Sequence, residues 1–386
     1  MNHTPPPAPL IGRRPLLLAA AGALGGTGLW TPAAHAADEA VGAPLRPRPL
    51  VFPRDHGTHN HARTEWWYLT GQAQDERGAL LGFQVTFFRS RVDPAQRLPG
   101  RLAARHLLFA HAAITDVAGA ALHHDERLAR WNGEPPPVAG QGVYAAEADT
   151  DVTLRDWHIR RGADGAYDTR IEGDSLGIAL RAAPVQTWLL QGDRGFSRKG
   201  PDPAQASFYV THPQLAVTGT LRLRERRWRV RGTAWLDHEW SEAILHPEAV
   251  GWDWVGMNLD DGGALTAFRL RRADGSALWA GGSYRPASAG GDPLGARAFG
   301  PDEVRFTPER TWVSPKTGAR YPVVWRLQTP AGEHRVQALV DAQELDSRAS
   351  TGTVYWEGLS DLNDSAGRRV GRGYLEMTGY AARLVL

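Results

Sequence analysis

Carboxyl groups set beside indoles are the first chemistry this sequence offers. Four strings do it: Glu65-Trp66-Trp67-Tyr68, Trp235-Leu236-Asp237-His238-Glu239-Trp240, Trp252-Asp253-Trp254 and Tyr355-Trp356-Glu357. They draw on a chain unusually rich in tryptophan, with 15 Trp in 386 residues. Indole presents a large apolar surface with a single N–H donor, and its electron-rich face stabilises a cation. A carboxyl group walled by indoles is poorly solvated, so its pKa rises and it remains a proton donor near neutrality. That combination suits acid chemistry on a greasy substrate. The structural alternative is that Trp fills a β-barrel core while the carboxylates pair with the many Arg.

In an extended Trp235–Trp240 segment, Trp235, Asp237 and Glu239 share one face, and His238 and Trp240 the other. Carboxyls on a core face are costly unless paired or protonated, and such a cost is retained for chemistry or for an ion pair. Asp237 is therefore the first candidate acid, donating to an alkene carbon, with His238 orienting it or handling water. Trp252 and Trp254 share a strand face and, with Trp235, could line a cavity and stabilise a carbocation. Asp253, on the opposite face, is the second candidate acid if that face is the inner one. Trp66 and Tyr68 are further substrate-binding candidates, and Glu65 either reaches the cavity or salt-bridges across a barrel mouth. Tyr355 belongs to a matching C-terminal set with Glu357, Tyr374 and Glu376, which reads mainly as structural.

His56, His59 and His61 beside Asp55 have the composition of a zinc site. Loop histidines are also commonly hydrogen-bonded or exposed, and no metal is assigned to them. No Walker loop, dinucleotide fingerprint or His-Glu-x-x-His helix occurs, so no cofactor is expected. The absence of Cys removes both a disulfide framework and a thiol nucleophile.

The N-terminus reads as an export signal covering residues 1–36. Gly12-Arg13-Arg14-Pro15-Leu16 precedes an apolar stretch reaching Leu29, and Ala34-His35-Ala36 offers a processing site that leaves Ala37 first. The paired arginines favour the twin-arginine route, with an ordinary Sec signal as the alternative, and a periplasmic or secreted product. The chain carries 44 basic and 42 acidic residues, and loss of Arg13 and Arg14 leaves 42 of each, so no nucleic-acid partner is expected. No later apolar run approaches the about 20 residues that span a bilayer. The expected partner is a lipophilic small molecule.

Stepping along the remaining chain, period-two alternation dominates. Leu81–Phe88, Leu215–Arg224, Trp228–Arg231, Val323–Leu327 and Val336–Val340 read as antiparallel strands, punctuated by turns such as Asp260-Asp261-Gly262-Gly263. Short helices are expected near Ala103–Ala112 and Pro203–Phe208, and a long loop over Ser288–Pro301. Residues 37–51 form a Pro-rich lead-in, and the segment 242–250 is the expected boundary between domains at 52–245 and 246–386. Repeated short strands with turn signals imply barrels or sandwiches, hence an all-β chain.

Several strings in order carry a resemblance. Phe52-Pro53-Arg54-Asp55-His56-Gly57-Thr58-His59 leads into Arg63-Thr64-Glu65-Trp66-Trp67-Tyr68, and Gly232-Thr233-Ala234-Trp235-Leu236-Asp237-His238-Glu239-Trp240-Ser241 precedes Trp252-Asp253-Trp254. Tyr355-Trp356-Glu357-Gly358 and Gly373-Tyr374-Leu375-Glu376-Met377-Thr378-Gly379-Tyr380 close the set. The chain resembles the AttH-like and carotenoid 1,2-hydratase superfamily of lipocalin-like proteins. The resemblance implies two consecutive lipocalin-like antiparallel β-barrels. It also implies one of three roles: a cofactor-free hydratase adding water to a carbon–carbon double bond of an isoprenoid-like substrate, a pericyclase, or a lipid carrier without chemistry. Fold alone does not choose among them.

Overall fold

The computed structural model describes residues 41–384 apart from 137, 139 and 244, so the expected export segment lies outside the described residues. Its strands form two antiparallel sheets, one of 13 strands between Thr64 and Ser241 and one of 10 between Ala249 and Met377. In each sheet the first strand in sequence pairs with the last. Thr64–Asp75 pairs with Arg226–Ser241, and Ala249–Leu259 with Arg369–Met377, so each sheet curls into a barrel that lacks one pairing, between Ala121–Trp131 and Val143–Ala145 in the first and between Arg297–Phe299 and Arg305–Val313 in the second.

Side-chain alternation sends one set of residues into each barrel. Trp67, Phe83, Leu108, Trp157 and Leu236 fill the first, and Val255, Trp325, Trp356 and Leu375 the second. A third cluster, with Tyr68, Trp235, Trp254, Leu359 and Tyr374, lies between the sheets. This third layer explains the unbroken burial of Trp235–Ser241. Even-numbered side chains there enter the first barrel, while the odd-numbered ones that would ordinarily be wet are covered by the second.

Among the described residues there is no α-helix, only three short 3-10 turns at Arg54–His56, Asp93–Ala95 and Ala287–Ala289. The helix expected near Ala103–Ala112 is instead part of the strand His106–Asp116. Its alanines and leucines suit either state locally, but Leu108, Ala110, Ala112 and Ile114 all enter the first barrel's core at period two. Pro203–Phe208 is likewise a turn running into the strand Ala206–Leu223. The loop expected over 288–301 holds a short strand, Arg297–Phe299, paired with Ala277–Arg285.

Candidate active site between the barrels

Where the barrels meet, the paired first and last strands of each, together with their neighbouring strands, line a cavity of about 340 Å³. Its wall includes Trp66, Tyr68, Trp252, Trp254, Tyr355 and Phe268, and five carboxyl residues line it, Glu65, Asp237, Glu239, Glu357 and Glu376. The two barrels contribute in parallel ways. Asp237, on the last strand of the first barrel, lies opposite Tyr68 on its first strand; Glu376, on the last strand of the second, lies opposite Trp254. One glycine shapes this wall: a Cβ at Gly256 would sit 2.3 Å from the ring of Trp254, so the bare backbone lets that indole fold flat against its own strand.

Asp237 is buried, and two hydroxyl groups donate to its oxygens, with the Trp235 indole beside them. Tyr209 donates to Oδ2 at 2.7 Å and Thr211 to Oδ1 at 2.6 Å. The Tyr209 oxygen in turn accepts from Trp254 Nε1 at 3.1 Å, tying the acid to an indole of the other barrel. Burial pushes the Asp237 pKa up to about 7; Thr211, Tyr209 and the Trp235 indole N–H oppose that rise, and the charge of Glu239 adds to it. Glu376 keeps some of its surface open to the cavity and is also pushed up to about 7, by burial, with the nearby charges of Asp237, Glu239 and Asp253 adding. Glu357 is raised well above the usual carboxylate range by burial and by Glu376. Glu239 is different, with Lys199 Nζ at 3.0 Å and the Ser207 hydroxyl donating to it. Lys199 also lies 4.3 Å from the ring centre of Phe268 and 4.6 Å from that of Tyr209.

The remaining candidates stand elsewhere. His238 leaves its strand on the face opposite Asp237, so it cannot orient that carboxyl as expected. It stacks on Trp67 at 4.7 Å between ring centres and contacts Glu65 through Nε2 at 2.9 Å. Glu65 backs the cavity wall, but its carboxylate is consumed within the first barrel: Thr58 Oγ1, the His59 backbone N–H and Arg89 Nε all donate to Oε2 within 2.9 Å. Burial works against its charge, yet Arg89, His238 and His59 hold its pKa well below the usual range. Asp253 is not on the cavity wall. It is fully buried against Arg269 Nε at 2.7 Å and Arg271 at 3.6 Å, and accepts from Tyr380 at 2.8 Å. Its face is the inner one of the second barrel, but that interior ion-pairs Asp253 away from the cavity, so it does not serve as the acid. Trp235 packs edge-on behind Trp254, with ring centres 6.3 Å apart.

His56, His59 and His61 do not gather around one point. His56 packs beside Phe52 and Trp188, whereas each ring nitrogen of His59 meets a carboxylate, Glu65 at 2.8 Å and Asp55 at 3.0 Å. The His59, Glu65 and His238 ligand atoms lie within 4.8 Å of one another. A cation there would sit beside the Arg89 guanidinium, which already occupies Glu65.

The AttH-like family model matches residues 43–380. The chain belongs to the AttH-like family. A protein described as an AttH from Nitrosomonas europaea is 46% identical, with a TM-score of 0.78 over 88% of this chain and 99% of that one. Kievitone hydratase from Nectria haematococca superposes with a TM-score of 0.64 over 86% of this chain and 94% of its own, at 14% identity. CghA with Sch210972 gives 0.50 over 83% and 89%, also at 14%. At that identity the last two show a shared two-barrel fold and nothing finer. A search of curated proteins returns no match.

Several groups at the cavity of this AttH-like chain carry little signal in the sequence. Glu357 and Glu376 read as structural in the sequence because nothing local shows which face meets the other barrel. Ser207, Tyr209 and Thr211 did carry a signal, a polar stripe at period two that supplies every hydroxyl on Asp237 and Glu239. Lys199 is one of two lysines in an arginine-rich chain. Gly173-Asp174-Ser175-Leu176-Gly177 has the spacing of a hydrolase nucleophile elbow, but it turns between the strands Tyr167–Glu172 and Leu176–Ala183, without the helix that such an elbow requires.

Proposed function

We propose that this protein is a cofactor-free acid catalyst that adds water across a carbon–carbon double bond of a lipophilic, isoprenoid-like molecule held between the barrels. The observation that carries the reading is Asp237: a buried carboxyl on an aromatic cavity, held by the Tyr209 and Thr211 hydroxyls without an ion pair among the described residues, so that burial pushes its pKa up to about 7. Such a group is substantially protonated at neutrality and can transfer its proton to an alkene carbon. The resulting cation is flanked by Trp66, Trp252 and Trp254, each worth about 0.5–2 kcal/mol to it. Glu376, matched to Asp237 in the second barrel, is the second carboxyl available to the cavity and replaces Asp253 in that role. A fold shared with a protein named as a hydratase is in keeping with this reading.

The test is incubation with an isoprenoid lipid extract in ¹⁸O-labelled water, followed by mass spectrometry. A product heavier by one labelled water supports hydration. An extract component retained unchanged turns the reading into that of a carrier, and an isomer of unchanged mass into that of a pericyclase. We also place the protein outside the cytoplasm on the strength of Arg13, Arg14 and Ala34-His35-Ala36. N-terminal sequencing of the exported protein would begin at Ala37, and any other start counts against that placement.

A further inference from the structure

A line of hydrogen bonds leaves the cavity wall and ends at a carboxylate near the surface. Tyr355 Oη lies 2.8 Å from His111 Nδ1, His111 Nε2 lies 2.8 Å from Ser350 Oγ, and Ser350 donates to Glu126 Oε2 at 2.5 Å. His111 and Glu126 face each other across neighbouring strands of the first barrel, while Ser350 and Tyr355 belong to the second. The line therefore exists only because the barrels are docked. Tyr355, His111 and Ser350 border the cavity, but Glu126 does not. Its side chain is 18% exposed, against 2% for His111.

Counting hydrogens fixes the direction of the line. A carboxylate only accepts, so Glu126 takes the single Ser350 hydrogen. The Ser350 oxygen then accepts from His111 Nε2–H. A neutral ring protonated there has a bare Nδ1, which accepts from the Tyr355 hydroxyl. Tyr355 itself accepts from Gln84 Nε2 at 3.3 Å. The ring is neutral because burial pushes the His111 pKa down to about 3, with His124 adding to the effect. Every donor thus points away from the cavity, the arrangement that carries a proton out of it.

We propose that Tyr355, His111, Ser350 and Glu126 form the proton exit of the reaction, with Tyr355 as its cavity end. The proposal rests on the hydration reading and completes its proton balance. Once Asp237 has protonated one alkene carbon, water forms a C–O bond to the other and must lose a hydrogen. That hydrogen passes to Tyr355 Oη as the Tyr355 hydrogen moves to His111 Nδ1, the Nε2 hydrogen to Ser350 Oγ, and the Ser350 hydrogen to Glu126. Each group gives one proton as it takes one, so neither phenolate nor imidazolium accumulates. Glu126 then releases its proton to bulk water, Asp237 regains one from bulk water when product leaves, and His111 returns to its Nε2–H form by exchange with water.

Two measurements test this separately from the reading beneath it. Nitrogen NMR of histidine-labelled wild-type protein reports the His111 tautomer without any substrate. The Nε2–H form is expected, and the Nδ1–H form would overturn the relay. Glu126→Gln keeps an oxygen that accepts from Ser350 but cannot take up a proton. With the isoprenoid extract as substrate, it is expected to lower kcat about 10²-fold with KM and melting temperature unchanged, and added formate should restore the rate. An undiminished kcat in Glu126→Gln, in a protein that Asp237→Asn inactivates, overturns the relay alone. If the wild type hydrates nothing in the extract, both the relay and the hydration reading fall.

Discussion

Asp237→Asn is expected to lower turnover by about 10²–10⁴-fold while leaving uptake of the lipophilic molecule intact. The amide fills the same space. Its oxygen can accept from Thr211, and its NH₂ can donate to Tyr209 once that hydroxyl turns, so the wall is preserved and only the transferable proton is lost. Stability gives this variant a second signature. The folded pKa of Asp237, about 7 against an ordinary 3.8, means that the native state holds a proton the unfolded chain has lost. Its contribution is therefore fully present below about pH 4, declines as pH rises towards 7, and is flat above, with a slope of at most about 1.4 kcal/mol per pH unit. Melting curves between pH 5 and 8 should fall less steeply for Asp237→Asn than for wild type. A variant with lost binding and a lowered melting temperature at every pH would mark Asp237 as a structural residue instead.

The second large effect is expected inside the first barrel. Glu65 and Arg89 are both fully buried, 2.9 Å apart, and Arg89 also donates to the backbone carbonyls of His59 and Ala62. Arg89→Met leaves the Glu65 carboxylate buried without its cation, and is expected to cost about 3–5 kcal/mol of unfolding free energy in urea titration. Glu65→Leu combined with Arg89→Met removes both charges and should cost less than Arg89→Met alone. A double variant worse than the single one would mean that the pair's attraction, rather than the desolvation of an orphaned charge, dominates. The sign with pH is opposite to that of Asp237. Because the Glu65 pKa is depressed, its contribution is present above the ordinary carboxylate pKa and is lost as the solution is acidified through the folded value.

The all-β class was legible because alternation is a local property: Phe83, Val85 and Phe87 announce an inward face wherever the strand goes. The same logic placed Asp237 and His238 on opposite faces. It could not say that the outward face of one barrel is the inward face of a cavity, because that depends on how the second barrel docks. Asp253 illustrates the limit. Its tryptophan neighbours do line the cavity, but it points the other way into Arg269 and Arg271, and both arginines belong to the adjacent strand Ala264–Arg272. Glu376 is the converse. It lies far along the chain in a string without special chemistry, and gains its place only through its register with Trp254 and Glu357. His59 was visible as a possible metal ligand, but its partners Glu65 and His238 come from two different strands of the barrel.

The most direct measurement of the central claim needs no substrate. Carbon NMR of the protein labelled at aspartate and glutamate carboxyl carbons, with resonances assigned through Asp237→Asn and Glu376→Gln, follows each titration between pH 3 and 9. Midpoints near 7 are expected for Asp237 and Glu376, so that a proton donor is available in the cavity at neutral pH. An Asp237 midpoint near the ordinary 3.8 would leave an ionised carboxylate facing the indoles and would contradict acid catalysis by this residue.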